Sequence, residues 1–139
     1  MDFQKELETY FRSRFTLICV VSFEEECILE QIKEICERTD RKLYSWDHAE
    51  FFNVLVGQGA PPTAKDPISA LTAVENLPDD SVFVLCDFHQ CWVGQPRVVR
   101  KLRRLAQKFR FSKKTLVITM PHWRLPDELK DDAVVLDFP

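Results

Sequence analysis

A short segment, "CDFHQCW" at residues 86–92, holds the residue types most often used for catalysis or metal binding. Asp87, His89 and Cys91 stand so close together that a metal site or a reactive thiol has to be considered. A zinc site needs four ligands, usually supplied as two spaced pairs, and no second pair stands at such spacing. A nucleophilic cysteine needs a histidine oriented beside it, which this spacing does not obviously supply. The segment is therefore interpreted as a structural or recognition loop, with no catalytic residue, metal or cofactor predicted.

A second segment of chemical interest is "VVSFEEECILEQI", residues 20–32, where an apolar run passes directly into an amphipathic pattern. Such strand-to-helix corners often bind phosphate, because glycines let backbone N–H groups converge on the anion and a lysine neutralises it. Here the corner carries Glu24, Glu25 and Glu26 instead. A carboxylate about 6 Å from a phosphate charge would cost about 2–3 kcal/mol at an effective dielectric of about 20. Two interpretations stay open: a self-capped helix start, with Ser22 and Glu25 as a capping box, or an acidic docking site.

Residues 96–114 form a strongly basic segment, in which nine of nineteen residues are Lys or Arg and none is acidic. Its apolar residues recur at helical spacing, which predicts an amphipathic helix. Like charges on one face repel each other, so an anionic group is expected nearby. It could be acids of the same chain, an acidic protein surface, the Glu24–Glu37 helix of another copy or, less favoured, nucleic acid phosphates. The five residues expected on the outer face are Arg97, Arg100, Lys101, Arg104 and Lys108.

The three tryptophans each lie near the end of a predicted strand or in the loop beyond it. In an open α/β sheet, the carboxyl edge of the strands is the usual place for a ligand. The tryptophans are interpreted either as buried loop anchors or as an aromatic rim for a partner. Trp92 and Trp123 are the candidates for partner binding, and Trp46 is the third of the set.

The elements that would position these residues alternate along the chain. Apolar runs predict strands at 15–21, 42–46, 81–86, 115–120 and 133–138, and amphipathic patterns predict helices at 2–13, 22–38 and 96–110. A further helix is predicted to open at Asp66 and Pro67. Residues 47–57 are compatible with either a helical turn or an extended segment. Strands alternating with helices indicate an α/β fold in three layers, a parallel sheet covered on both faces. Residues 1–139 are expected to form a single domain.

Composition narrows the functional classes only slightly. The net charge of −3 is too small to indicate a partner class, and no stretch approaches the roughly 20 apolar residues of a membrane span. The amino terminus does not resemble a signal peptide. The five cysteines are odd in number and mostly fall at apolar positions, which favours buried thiols in a reducing compartment.

Two strand ends carry partial signatures of a nucleotide site. "VFVLCD" ends at Asp87, where a P-loop ATPase keeps its Mg²⁺-binding aspartate, but Phe88 stands where the hydrolytic version has a second acid. "TLVITMP" ends near Thr119, where such proteins place a γ-phosphate sensor. The positions of a degenerate nucleotide site are therefore Ser22, Glu24, Glu25, Asp87 and Thr119.

The order of these segments gives the chain a family resemblance. The succession "FTLICVVSFEEE", "KLYSWD", "DPISALTAVENL", "VFVLCDFHQ", "VVRKLRRLAQKFRFSKKTLVITMP" and "LPDELKDDAVVLDFP" resembles the non-catalytic amino-terminal domain of the AAA-type ATPases of the hypothetical-chloroplast-reading-frame family. These proteins occur in cyanobacteria, plastids and other bacteria. The match runs from about residue 5 to the last residue.

The resemblance implies a degenerate P-loop NTPase-like sheet with strand order 5-1-4-3-2, counting the five predicted strands along the chain. It also implies a regulatory or partner-recruiting role without catalysis, in the cytoplasm or the plastid stroma. The partner would be a protein or an AAA module, with no membrane involved. In that family the AAA module follows the "LDFP" segment, so this chain is expected to be a separately expressed domain or a stand-alone relative. Two alternatives remain: an anion or nucleic-acid binding module built on residues 97–114, and a weak nucleotide binder or ATPase using Asp87.

Overall fold

A mixed sheet of six strands forms the centre of the computed structural model, which describes residues 2–138. The helices are α1 (Phe3–Arg12), α2 (Glu25–Arg38), α3 (Pro67–Asn76) and α4 (Pro96–Lys108). The strands are β1 (Leu17–Val21), β2 (Lys42–Asp47), β3 (Phe51–Val56), β4 (Ser81–Cys86), β5 (Thr115–Met120) and β6 (Val134–Asp137). Short 3₁₀ turns lie at Phe88–Cys91, Phe109–Phe111 and Asp127–Leu129.

The sheet has the order β3-β2-β4-β5-β1-β6. All neighbouring strands run parallel except β2 and β3, which are antiparallel. The five strands predicted from the sequence lie in the predicted order. The expectation of a purely parallel sheet was wrong, because the ambiguous residues 47–57 supply a sixth strand at the edge beyond β2. A tight turn makes this possible: the Asp47 carboxylate accepts hydrogen bonds from Ala49 N at 2.8 Å and Glu50 N at 2.7 Å.

Two apolar layers cover the sheet, one on each face. Because side chains alternate along a strand, Phe83 and Leu85 of β4 face one layer and Val82 and Val84 face the other. The first layer is completed by α3 and α4, and the second by α1 and α2. The three-layer arrangement is therefore present, with α2 and α4 on opposite faces of the sheet.

The helix starts show which capping predictions hold. At α3, Asp66 is the N-cap and its carboxylate accepts from Ser69 N at 2.9 Å, ahead of Pro67. At α2 the predicted capping box is wrong: the helix begins at Glu25, and Glu24 is the N-cap without a side-chain cap bond. Ser22 instead accepts from Glu24 N at 2.9 Å, which closes a tight turn before the helix. Glu25 and Glu26 lie in the first turn and complement the helix dipole, as expected.

Two boundaries also differ from the sequence prediction. Phe15 was placed in the first strand, but it is exposed and β1 begins at Leu17. The basic helix was expected to reach Arg110, and it ends at Lys108, where the chain tightens into a 3₁₀ turn. The first shift takes Phe15 out of the predicted buried strand, whereas the second leaves Phe109 in the core.

Candidate functional site

The carboxyl ends of β2 and β4 border an acidic cleft, the first of two surface features that could bind a partner. The cleft has a volume of about 460 Å³. It lies at the edge of the sheet where nucleotides bind in other α/β proteins. Its lining residues are Glu25, Asp47, His48, Ala49, Glu50, Cys86, Asp87 and Gln90. Four of these eight are carboxylates, so this acidic cleft disfavours phosphate.

Asp87 is held at the cleft by its backbone rather than by a side-chain bond. It adopts a left-handed conformation with φ of 54°, and its N–H donates to Thr119 O at 3.0 Å. Cys86 lies beside it, and burial raises the pKa of that thiol, with the neighbouring Glu25 carboxylate raising it further. Glu25 therefore brings a carboxylate close to Cys86 at the cleft. Asp87 and Glu25 are the two predicted nucleotide-site positions that the structure brings into one cleft.

The other three predicted positions do not line the acidic cleft. Thr119 is 2% exposed, and its hydroxyl has no hydrogen-bond partner within residues 2–138. It sits in register between Cys86 and Val20 in the middle of the sheet. Ser22 is engaged with Glu24 N, and the Glu24 carboxylate accepts from Cys27 Sγ at 3.7 Å. These residues shape the corner without forming a ligand site.

His48, in the turn after β2, contacts the "CDFHQCW" segment. Its Nε2 lies 3.2 Å from Cys91 Sγ, which makes a cysteine–histidine contact that the spacing of "CDFHQCW" did not suggest. Cys91 is only 5% exposed, and burial raises the pKa of its thiol to about 11. A thiol protonated at neutral pH is a poor nucleophile, so the contact is structural. No group of three or more His, Cys, Asp or Glu side chains in residues 2–138 could hold a metal ion.

The acidic residues Asp47 and Glu50 were missed at the sequence level. Asp47 ends β2 as Asp87 follows β4, and these two strands are parallel neighbours. The carboxyl ends of parallel neighbours lie at one edge of the sheet. The position of Asp47 at the end of its strand could therefore have indicated that it lies near Asp87.

The second feature is the basic face of α4, which comprises Arg97, Arg100, Lys101, Arg104 and Lys108. Four of the five are exposed and Lys101 is half-buried. On the other side of the helix, Val98, Leu102, Leu105 and Ala106 are buried against the sheet and α3, as expected. A shallow groove of about 550 Å³ runs beside the arginines, with Ile68 of α3 and Pro96 as its apolar part.

Carboxylates of the chain neutralise only part of this basic face. Glu75 of α3 binds Lys101 at 2.8 Å and Lys108 at 3.0 Å, and these contacts lower the pKa of Glu75. Among the described residues, Arg97, Arg100 and Arg104 have no carboxylate within 4.0 Å. Three unpaired arginines on successive turns therefore remain available to an anionic partner.

The candidate tryptophans separate into two classes. Trp92 is 5% exposed and its indole N–H donates to Arg124 O at 3.1 Å, so its assignment to a partner-binding rim is corrected to a loop anchor. Trp46 is fully buried and donates to Ala64 O at 3.1 Å in the same manner. Trp123 is 49% exposed, and Phe23 nearby packs edge-to-face on His122 with ring centroids 5.3 Å apart. Only Trp123 stays a candidate for partner contact.

In the described part of the chain, no helix has the length and apolarity that a bilayer crossing requires.

Comparison with known proteins relates the chain to the N-terminal domain of a family of AAA ATPases. It is 32% identical over 143 aligned residues to the uncharacterized AAA domain-containing protein ycf46 of Guillardia theta. It is 28% identical to the proteins of the same name from Trieres chinensis and Pyropia yezoensis. The alignments cover 99–100% of this chain and 28% of each relative's length. A family described as "SpoVK-like AAA ATPase, N-terminal domain" matches residues 3–138, and the chain therefore belongs to that family.

Proposed function

We propose that this domain is a non-catalytic, partner-recruiting part of an AAA-type ATPase and that it docks an acidic protein surface onto the basic face of α4. The observation that carries the proposal is the set of three exposed arginines, Arg97, Arg100 and Arg104, without carboxylate partners in residues 2–138. The opposite side of α4 is buried, so the arginines are displayed from a fixed helix rather than from a loop. A preorganised charged surface loses less conformational entropy on binding.

A carboxylate-bearing partner suits these residues better than nucleic acid does. Guanidinium groups bind carboxylates and phosphates alike through two parallel hydrogen bonds, so the choice between the two partners rests on the charge around the arginines. Glu75 offsets one of the two charges of Lys101 and Lys108, so the uncompensated positive charge of α4 forms a small patch. The rest of the chain carries a net negative charge, which repels an extended polyanion.

The proposal of no catalysis rests on the acidic cleft. The sheet is inferred to be a degenerate P-loop type, in which Asp87 and Thr119 keep the positions of a magnesium ligand and a phosphate sensor. Glu25, however, stands beside Cys86 where a phosphate would need space and positive charge. Carboxylates at Asp47 and Glu50 add to the repulsion.

The recruiting role is tested by reversing the unpaired charges. The variant R97E/R100E/R104E leaves the buried side of α4 unchanged and is expected to retain the fold. The control variant R14E/K65E/R124E reverses three exposed basic residues that lie outside α4 and so carries the same change in net charge. Immobilised wild-type domain and both variants are incubated with lysate of the source organism, and captured proteins are identified by mass spectrometry.

The proposal predicts that acidic proteins captured by the wild type are retained by the control and lost by the α4 variant. Their capture should weaken as the ionic strength rises from about 0.01 to about 0.15 M, because the Debye length falls from about 30 to about 8 Å. Equal capture by all three proteins would contradict the role assigned to α4. Binding of a purified DNA or RNA duplex by the wild type, lost with the same variant, would favour the nucleic-acid alternative.

A further inference from the structure

The outer side of α2 is an acidic counterpart of the basic face of α4. We define the acidic ridge as Glu26, Glu30, Glu34 and Glu37, all of which are exposed. The buried side of the same helix contributes Ile28, Ile32, Ile35 and Cys36 to the core, so the ridge points away from the sheet.

The acidic ridge is largely unneutralised within the chain. Glu26, Glu30 and Glu37 have no Lys or Arg nitrogen within 4.0 Å in residues 2–138. Glu34 accepts a hydrogen bond from Gln4 Nε2 at 2.8 Å, a neutral donor that leaves the carboxylate charge uncompensated. The half-buried Lys33 flanks the ridge and is not among the ion-paired residues. The described residues thus form one basic and one acidic helix surface. On each surface several charges have no oppositely charged group within 4.0 Å.

The spacing of the two surfaces matches when the helices run antiparallel. Along α4 the basic residues follow each other at intervals of three, four and four, in the order Arg97, Arg100, Arg104, Lys108. Read backwards along α2, the glutamates follow the same intervals, in the order Glu37, Glu34, Glu30, Glu26. Each set spans twelve residues, and its eleven steps cover about 16 Å of helix at about 1.5 Å per residue. In an antiparallel pair, the four basic residues of α4 therefore face the four glutamates of α2 in register. The pair also places opposite helix dipoles side by side.

The two surfaces cannot meet within one molecule, because α2 and α4 cover opposite faces of the sheet. We propose that the occupant of the basic face is the acidic ridge of a second copy of this chain, with α2 lying antiparallel on α4. Arg97 then faces Glu37, Arg100 faces Glu34 and Arg104 faces Glu30. This inference rests on the proposed docking role of α4 and names its partner.

Such a contact is heterologous, since it joins two different surfaces. After pairing, one copy keeps a free acidic ridge and the other keeps a free basic face, so assembly continues in one direction until it closes into a ring or extends as a chain. Exposed ion pairs are individually weak. The contact is therefore expected to be salt-sensitive and to require high local concentration.

Sedimentation velocity of the purified chain tests this assembly. At about 0.01 M ionic strength, the wild-type average mass is expected to rise with protein concentration, and this rise should be lost at about 0.15 M. R97E/R100E/R104E and E30K/E34K/E37K should each remain monomeric, because each brings like charges together. A one-to-one mixture of the two variants should associate again, since each acidic surface then finds a basic one.

A wild type that stays monomeric at about 1 mM, where even millimolar affinity would be visible, would overturn the inference. So would a mixture of variants that fails to associate while circular dichroism shows both are folded. Should E30K/E34K/E37K not fold, E30Q/E34Q/E37Q removes the charge without reversal and is expected to lose association.

The lysate capture assay separates this inference from the wider docking role. In one possible result, the wild type does not self-associate, but a folded E30K/E34K/E37K protein still captures other acidic proteins. That result would refute the second copy as the partner and leave the docking role of α4 in place.

Discussion

Burial decides the chemistry available to individual residues, and the cysteines show this most clearly. All five are free thiols in the described structure, and only Cys27 is exposed. Burial raises the pKa of Cys19 and Cys36 to about 12 and that of Cys91 to about 11. The thiolate is the reactive form. Four of the thiols are therefore protected, because they are buried and because they stay protonated at neutral pH.

We expect iodoacetamide to modify Cys27 alone in the native protein at neutral pH. Peptide mass spectrometry should show one fast site and four slow ones, and C27S should remove the fast site. Under denaturing conditions all the thiols should react at similar rates. Rapid modification of Cys91 in the native protein would mean that its contact with His48 opens readily.

Cys91 also shows what residue patterns cannot reveal. Its place in a predicted loop suggested an accessible thiol, whereas the structure buries it in a 3₁₀ turn beside His48. His48 lies 43 positions away along the chain, so no local spacing could have paired the two. The basic face, in contrast, was predictable, because helical periodicity alone places Arg97 and Arg104 opposite Leu102.

Between elements, one buried carboxylate joins the two helices of the second apolar layer. Glu8 of α1 bonds Arg12 in its own helix and Arg38 at the end of α2. The hydrogen bond from Arg38 is the main cause that lowers the pKa of Glu8, with Arg12 adding to it. Because the folded pKa lies below the unfolded one, the resulting stability is present at neutral pH and is lost as the pH falls through the folded pKa.

Replacement of Glu8 by Gln should lower the free energy of unfolding at pH 7 by about 1 kcal/mol, since both arginine partners are partly exposed. The loss should shrink at about pH 3, where protonation weakens the same contacts in the wild type. Urea unfolding at both pH values measures the difference, with Glu6→Gln in the same helix as control. A deficit that is equal at both pH values would show that Glu8 acts through packing rather than charge.

Element boundaries were less predictable than element types. The sequence indicated the five parallel strands and their partners in the core, because continuous apolar runs mark strands buried on both faces. It left β3 open, since Phe51 begins that strand at a positive φ of 61°, a conformation that a bulky residue seldom adopts. The start of α2 was misplaced because Ser22 and Glu25 fit a capping box whose bonds the turn at Glu24 does not form.

At the scale of the whole molecule, folded-state ligand binding raises stability by mass action. A nucleotide bound with a Kd of about 0.1 mM would, at about 1 mM, stabilise the fold by about 1.4 kcal/mol. For a chain of this size that corresponds to a rise in melting temperature of about 4 °C. The acidic cleft is expected to prevent such binding.

Thermal unfolding with and without about 1 mM ATP and Mg²⁺ should therefore give the same melting temperature. D87N should behave like the wild type, because no magnesium ion is expected to depend on Asp87. An upward shift that needs Mg²⁺ and disappears in D87N would instead assign nucleotide binding to this edge of the sheet.

The strand order also determines which strands can pair first while the chain is being synthesised. Leu17 of β1 pairs with Leu116 and Ile18 pairs with Val134, so both neighbours of the first strand are synthesised long after it. Strands β2, β3 and β4 pair among themselves much earlier. At about 5–20 residues per second, the nascent chain carries the apolar strand Leu17–Val21 unpaired for several seconds. Chains interrupted before Thr115 are thus expected to expose this apolar segment to chaperones, and the sheet closes only after β5 and β6 have been synthesised.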